Sequence, residues 1–197
     1  MITSPLYEER RSGLTLQIYI DDDPINPRQD FENFGHMVCW HRRYSLGDAH
    51  NFVNPFEFEI WLAGLQSDLE PTSARIAAAM ERKAVILPLY LYDHSGITMN
   101  TTGFTCPWDS GRVGYVYATV DEIRTEFGVK RVSKALRTKV ADQLRSAVSV
   151  YDDYLTGQVF GYEIRNDDND VLDSCWGFFG ETYCIDEARA SLTRALS

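Results

Sequence analysis

Residues 84 to 120 read AVILPLYLYDHSGITMNTTGFTCPWDSGRVGYVYATV, and the folding of this run decides the architecture. AVILPLYLY (84 to 92) is continuously apolar, too short for a long helix and rich in strand formers, so it predicts a buried central strand. Pro88 has no N–H to give a ladder and demands an irregularity there. RVGYVYATV (112 to 120) alternates and predicts a further strand, with a short one near GITMNT in between. Strands joined by turns this short favour antiparallel or mixed pairing over a repeat of parallel strands linked by helices.

Outward from this run, LTLQIYI (14 to 20) predicts a strand stopped by the prolines of DDDPINPRQD, and HMVCWHRRY (36 to 44) a second, closed by SLGDAHN. Two helices follow in NPFEFEIWLAGL and EPTSARIAAAMERK, the latter with Pro71 in its first turn. Beyond the central run, VDEIRTEFG predicts a helix ended by Gly128. The longest helix covers SKALRTKVADQLRSAVSVYDDYLTG, with Ser133 to cap its start and Gly157 its end. QVFGYEIRNDDNDVLDSCWGFFG reads as a hairpin around RNDDND, and ETYCIDEARASLTRAL as a last helix. The expected fold is α+β, a mixed, largely antiparallel sheet with helices packed on a face. A length of 197 residues suggests a single domain over 1–197.

Hydrophobic residues at 44% and charged residues at 24% suit a globular protein and argue against wholesale disorder. No apolar run reaches the roughly 18 residues of a membrane helix, and MITSPLYEERRSG lacks a signal-peptide core, so a cytoplasmic location and no membrane partner are expected. The four cysteines form no CxxC pair, which points away from a zinc knuckle or a thioredoxin motif and towards reduced thiols. The net charge of -10 is unevenly placed: residues 151 to 187 hold ten acids against Arg165 alone, while 124 to 145 are basic. An acidic last third repels nucleic acid and attracts a basic partner, provided that its carboxylates gather on one surface. Direct nucleic-acid binding is therefore not expected.

YDHSG and CPWDSG are first of all turn chemistry, in which the aspartate accepts backbone N–H groups, glycine takes the positive φ and each motif closes a strand. A sharper reading sets Asp93, His94, Cys106 and Asp109 at one edge of the sheet as nucleophile, base and orienting carboxylates, although no Gly-x-Ser-x-Gly elbow is present. Asp93 and Asp109 also offer oxygen ligands to Ca²⁺ or Mg²⁺, without EF-hand or Walker spacing. In CWHRRYSLGDAH, the residues Cys39, His41, Asp48 and His50 are possible transition-metal ligands. On a strand over 36 to 44, Cys39, His41 and Arg43 would share one face. Arg42 and Arg43 are fork-shaped donors suited to a carboxylate of this acid-rich chain or to an anionic ligand, with Trp108 and Ser110 as further ligand-binding candidates. No cofactor or metal is identified by these spacings.

The phrases NFGHMVCWHRRYSLGDAH, VILPLYLYDHSGITM, CPWDSGRVGYVYAT, EFGVKRVSKAL, YDDYLTGQVFGYEI and DSCWGFFG, in this order, resemble a family of small proteins encoded by bacteriophages, plasmids and other mobile elements. The resemblance implies a setting more than an activity: an accessory factor against host defence, of the anti-CRISPR or anti-restriction type, that covers the nucleic-acid surface of a host nuclease complex. On that reading the partner-binding residues are Asp152, Asp153, Tyr154, Glu163, Asp167, Asp168, Asp170, Asp173 and Trp176, acting as carboxylates in place of phosphates with aromatic anchors. The alternative is a small-ligand-binding protein or hydrolase acting on a nucleotide-type signal, centred on Asp93, His94 and Asp109.

Overall fold

The structure, a computed structural model, describes residues 4–66 and 71–196. In chain order these form β1 (Tyr7–Arg11), β2 (Leu14–Ile20), β3 (His36–Cys39), α1 (Pro55–Ala63), α2 (Ser73–Lys83), β4 (Ala84–Asp93), β5 (Ile97–Asn100), β6 (Ser110–Thr119), α3 (Val120–Glu126), α4 (Lys134–Leu155), β7 (Val159–Arg165), β8 (Val171–Phe179) and α5 (Glu181–Ala195). The fold is α+β. Among the described residues every strand pairing is antiparallel, and the strands make two four-stranded sheets, β1-β2-β7-β8 and β3-β6-β4-β5, where one mixed sheet was expected. Contacts group the chain into two compact units, one built from the chain up to Pro27 together with the chain from Val150 on, the other from Arg28–Ser149.

In the first unit, alternate residues of β2 and β7, Leu16, Ile18, Phe160, Tyr162 and Ile164, face Cys184, Ala188 and Leu192 of α5 and form its core. RNDDND makes the β7–β8 turn as expected: Asn169 takes φ 67, and Asn166 Oδ1 accepts the N–H of Asp170 at 2.8 Å. β8 lies at the sheet edge. It carries two bulges against β7, one between the pairs Phe160/Phe178 and Tyr162/Cys175, the other between Ile164/Asp173 and Arg165/Val171. Gly177 at φ 85 sits in the first of them.

In the second unit, α1 is capped by Asn54, whose side chain accepts the N–H of Glu57, and ends on Gly64 in the left-handed region. The expected start of the next helix, Glu70, lies outside the described residues; Thr72 caps α2, so Pro71 precedes the helix. Arg137 of α4 donates to the carbonyls of Glu81 (3.1 Å) and Ala84 (3.0 Å), which satisfies the end of α2. Thr119 and Glu122 form a capping box at the start of α3. Gly128 and Gly157 take φ 60 and 70 after α3 and α4, as their positions predicted.

The helices α1 and α2 bring Phe58, Ile60, Ile76 and Met80 onto the face of the second sheet that carries Val38, Tyr115 and Tyr117. Phe58 is fully buried and touches the rings of Trp40, Phe52, Trp61, Tyr115 and Tyr117 at centroid distances of 5.1 to 6.0 Å. The irregularity demanded by Pro88 is present: the β4–β6 register shifts between Leu89 and Tyr90, and β5 flanks β4 only from Tyr90 on.

A buried ion pair fixes the far edge of this sheet. Arg28, with 2% of its side chain exposed, donates from Nε to Asp48 Oδ1 (2.8 Å), from Nη2 to Oδ2 (2.7 Å) and to the carbonyl of Gly35 (3.2 Å). Asp48 Oδ2 also accepts the N–H of Met37 (2.8 Å). The strand expected over 36 to 44 therefore ends at Cys39. Its ladder is with Gly114–Tyr117 of β6, Trp40 adds one bond from its N–H to the Val113 carbonyl (2.7 Å), and the residues beyond leave the sheet.

Phe58→Ala should cost the second unit about 3–5 kcal/mol, since a fully buried ring leaves a cavity among partners that cannot all close in. A lowered urea midpoint against the parent chain, with Phe58→Leu falling between the two, is the expected result.

Candidate functional site

β4 ends at Asp93 in a tight turn: His94 donates its N–H to the carbonyl of Gly96 (3.0 Å), and Asp93 donates its own to the carbonyl of Asp109 (2.8 Å). YDHSG thus closes β4, whereas CPWDSG opens β6, contrary to the expectation that both close strands. The left-handed residue of the first motif is Ser95, at φ 57, not Gly96.

The residues that sequence reading singled out here do converge. Arg43 donates to Asp93 Oδ2, the Tyr44 hydroxyl lies 3.4 Å from Oδ1, and His41 Nε2 stands 3.9 Å from Oδ2. His41 Nδ1 accepts the N–H groups of Arg43 and Tyr44, each at 3.3 Å, so a neutral ring carries its proton on Nε2, towards Asp93. The hydrogen bond from Arg43 holds the Asp93 carboxyl below its usual range, against a smaller opposing effect of burial. Next to it, Asp109 Oδ2 accepts from Cys106 Sγ (3.5 Å) and lies 3.5 Å from His94 Nδ1.

This arrangement organises loops better than it performs catalysis. Cys106 and His94 meet the same carboxylate oxygen, and no hydrogen bond joins them among the described residues, whereas a nucleophile and its base need one. Asp93 is held as an anion by a guanidinium and is a poor proton acceptor. Ser110 is turned to the carbonyl of Cys106. Trp108, 91% exposed, and Arg42, exposed and without a partner among the described residues, remain outward.

The metal reading of Cys39, His41, Asp48 and His50 is not supported by these contacts. Asp48 is taken up by Arg28, His50 Nε2 by the carbonyl of Cys39 (2.9 Å), and burial pushes the Cys39 thiol up to about 12. Among the described residues no group of three or more His, Cys, Asp or Glu side chains is placed to hold a metal ion.

The acids of the last third do not form one surface. Glu163 is bound twice by Arg165 on one face of the first sheet. Asp173 is on the opposite face, taking the hydroxyls of Ser191 of α5 and Tyr162. Asp152, Asp153 and Tyr154 lie in the last turn of α4, where burial and then the neighbouring Asp152 raise the Asp153 carboxyl. Asp167, Asp168 and Asp170 stand exposed together in the β7–β8 turn, Asp167 pairing with Arg10 at 2.5 Å. Trp176 is 45% exposed, stacked on Tyr19 at 6.2 Å and so close over Gly161 that any side chain there would collide with it.

One site escaped sequence reading. A cavity of about 460 Å³ opens beside α2, with Ile76, Met80, Ile86 and Pro88 among its apolar lining and Glu59, Arg112 and Tyr115 as polar groups. Tyr115 donates its hydroxyl to Glu59 Oε1. Burial, then that hydrogen bond, push the Tyr115 hydroxyl up to about 12. Glu59, Arg112 and Tyr115 come from α1 and β6, over 50 residues apart in the chain, and no local motif marks them.

Comparison of the chain with protein-family models, with curated proteins and with solved structures found no match in any of the three. No helix among the described residues is long and apolar enough to cross a membrane.

Because folding lowers the Asp93 carboxyl, its contribution to stability is fully present above the ordinary carboxylate range and is lost as pH falls through the lowered value. Melting temperatures of the parent chain and of Asp93→Asn should therefore differ at pH 7 and converge as the pH falls below 3.8, the unperturbed carboxyl value. A constant gap would show that the Arg43 contact contributes nothing.

Proposed function

We propose that this protein acts by binding another protein, and that its working surface is the β7–β8 hairpin of the first unit. One observation carries this reading: two exposed aspartates outside any ion pair among the described residues, Asp168 and Asp170, cap a strand whose next residues, Val171 and Leu172, are exposed, with Trp176 further along it. Exposed large apolar side chains bordered by charge are the usual make-up of an interface, and a half-exposed tryptophan is a natural anchor. The charge selects a basic partner. The resemblance to mobile-element proteins supports the nature of that partner, a host defence nuclease complex of the CRISPR or restriction type, with the turn carboxylates standing where nucleic-acid phosphates would lie. The acids that the fold turns inward or pairs, Glu163, Asp167 and Asp173, have no part in it.

A second reading, a small-ligand site or hydrolase acting on a nucleotide-type signal, is favoured by the convergence of Arg43, Asp93, His94, Cys106 and Asp109. It has less support, since those groups satisfy one another.

Affinity capture with the full chain from a bacterial lysate should retain a basic nuclease subunit at low salt and release it at high salt. Asp168→Lys with Asp170→Lys, or Leu172→Asp alone, should weaken that complex about 30-fold or more, the loss of a hot spot of about 2 kcal/mol. His94→Ala and Cys106→Ala should leave it unchanged. The reverse pattern, hairpin variants silent and loop variants inactive, would favour the second reading.

A further inference from the structure

We infer that the cavity beside α2 is a binding site for an organic cation, an ammonium or guanidinium group carried on an apolar body. The inference goes beyond the hairpin interface and does not rest on it. The helix α2 runs into β4 without a connecting loop, and Ile76 and Met80 of the helix line the cavity together with Ile86, Pro88 and Tyr90 of the strand. The volume of about 460 Å³ is that of a small-ligand pocket, and its make-up, apolar walls with a few converging polar groups, is that of a recognition site.

The polar groups choose the sign of the ligand. Two carboxylates, Glu59 and Glu81, border the cavity against one guanidinium, Arg112. The Glu59 side chain is 20% exposed, and its Oε1 accepts from Tyr115 and lies 3.8 Å from Arg112 Nη2, longer than a hydrogen bond. Its Oε2 has no hydrogen-bond partner among the described residues. An anion entering here would meet both glutamates, while a cation would complete the coordination of Glu59.

The protein also displays the cation's position with a side chain of its own. The extra β6 residue at the bulge, Val113, turns Arg112 to this face, and its guanidinium carbon lies 5.0 Å from the centre of the Tyr115 ring, between an aromatic face and a carboxylate. Arg112 is half exposed and held by a long ion pair, so it is an internal stand-in that a ligand cation can join or displace.

The test is a titration of the full chain with 2-phenylethylammonium, with phenylacetate and with uncharged 2-phenylethanol, followed by the methyl resonances of Met80, Ile76 and Ile86. The ammonium compound alone should give saturable shifts. Glu59→Gln should weaken it about tenfold or more, as expected for loss of a charge-assisted contact, and Arg112→Ala should leave binding equal or tighter. Should Glu59→Gln melt early, Ala77→Phe, a change on the exposed side of α2 that fills the cavity, should abolish the shifts with Glu59 intact. Binding of phenylacetate that is lost in Arg112→Ala, equal binding of the alcohol, or no saturable shift with the ammonium would each overturn the inference. Asp168→Lys with Asp170→Lys should not affect the titration, which separates this site from the hairpin.

Discussion

The second unit depends on one buried ion pair. Taking Arg28 and Asp48 out of water is costly, and the cost is offset only because nearly every donor and acceptor finds a partner: two parallel bonds between them, the Gly35 carbonyl on one side and the Met37 amide on the other. Those partners fix where β3 begins. They also bring Gly47 back against β3, where it bridges Val38 and approaches the Met37 carbonyl too closely for any side chain. With both ends of the segment between Cys39 and Asp48 held, His41, Arg43 and Tyr44 have one place to go, the Asp93 carboxylate at the end of β4.

That constraint draws the most reactive-looking stretch of the chain into a junction between loops. The aspartates of YDHSG and CPWDSG each gather polar neighbours, Asp93 from the turn after β3 and Asp109 from His94 of the β4–β5 turn and from Cys106 of its own loop. A carboxylate surrounded in this way stabilises a junction. The groups with capacity to spare are elsewhere: Glu59 in its apolar cavity, and the aspartates of the β7–β8 turn.

Most of the fold was legible because its signals are local. Hydrophobic period, prolines, glycines and capping residues placed the β7–β8 hairpin and the five helices of the described residues. β1 went unread because YEERR offers one inward aromatic, Tyr7, among charged residues. It is a strand only through its pairing with β2, which no local pattern encodes. The length of β3 was misjudged because HMVCWHRRY alternates beyond the point where the pairing stops, at Gly114, next to the β6 bulge at Val113. The charge map failed for a related reason. Composition counts Glu163 and Asp173 together, but strand alternation sends them to opposite faces of one sheet, since Glu163 pairs with Ser174 while Asp173 pairs with Ile164. The Arg43–Asp93 contact was within reach as an arginine seeking a carboxylate. The Glu59 cavity was not, because it exists only where α1, α2, β4 and β6 meet.

The discontinuity of the first unit bears on synthesis. β2 is the partner of β7, and Ile20 pairs with Phe160, so this sheet cannot form until β7 has left the ribosome. Until then the β1–β2 hairpin waits alone with Leu16 and Ile18 uncovered, and a two-stranded ribbon is marginal in water. The residues inserted between β2 and β7 thus lengthen the time during which that uncovered face can meet other nascent chains.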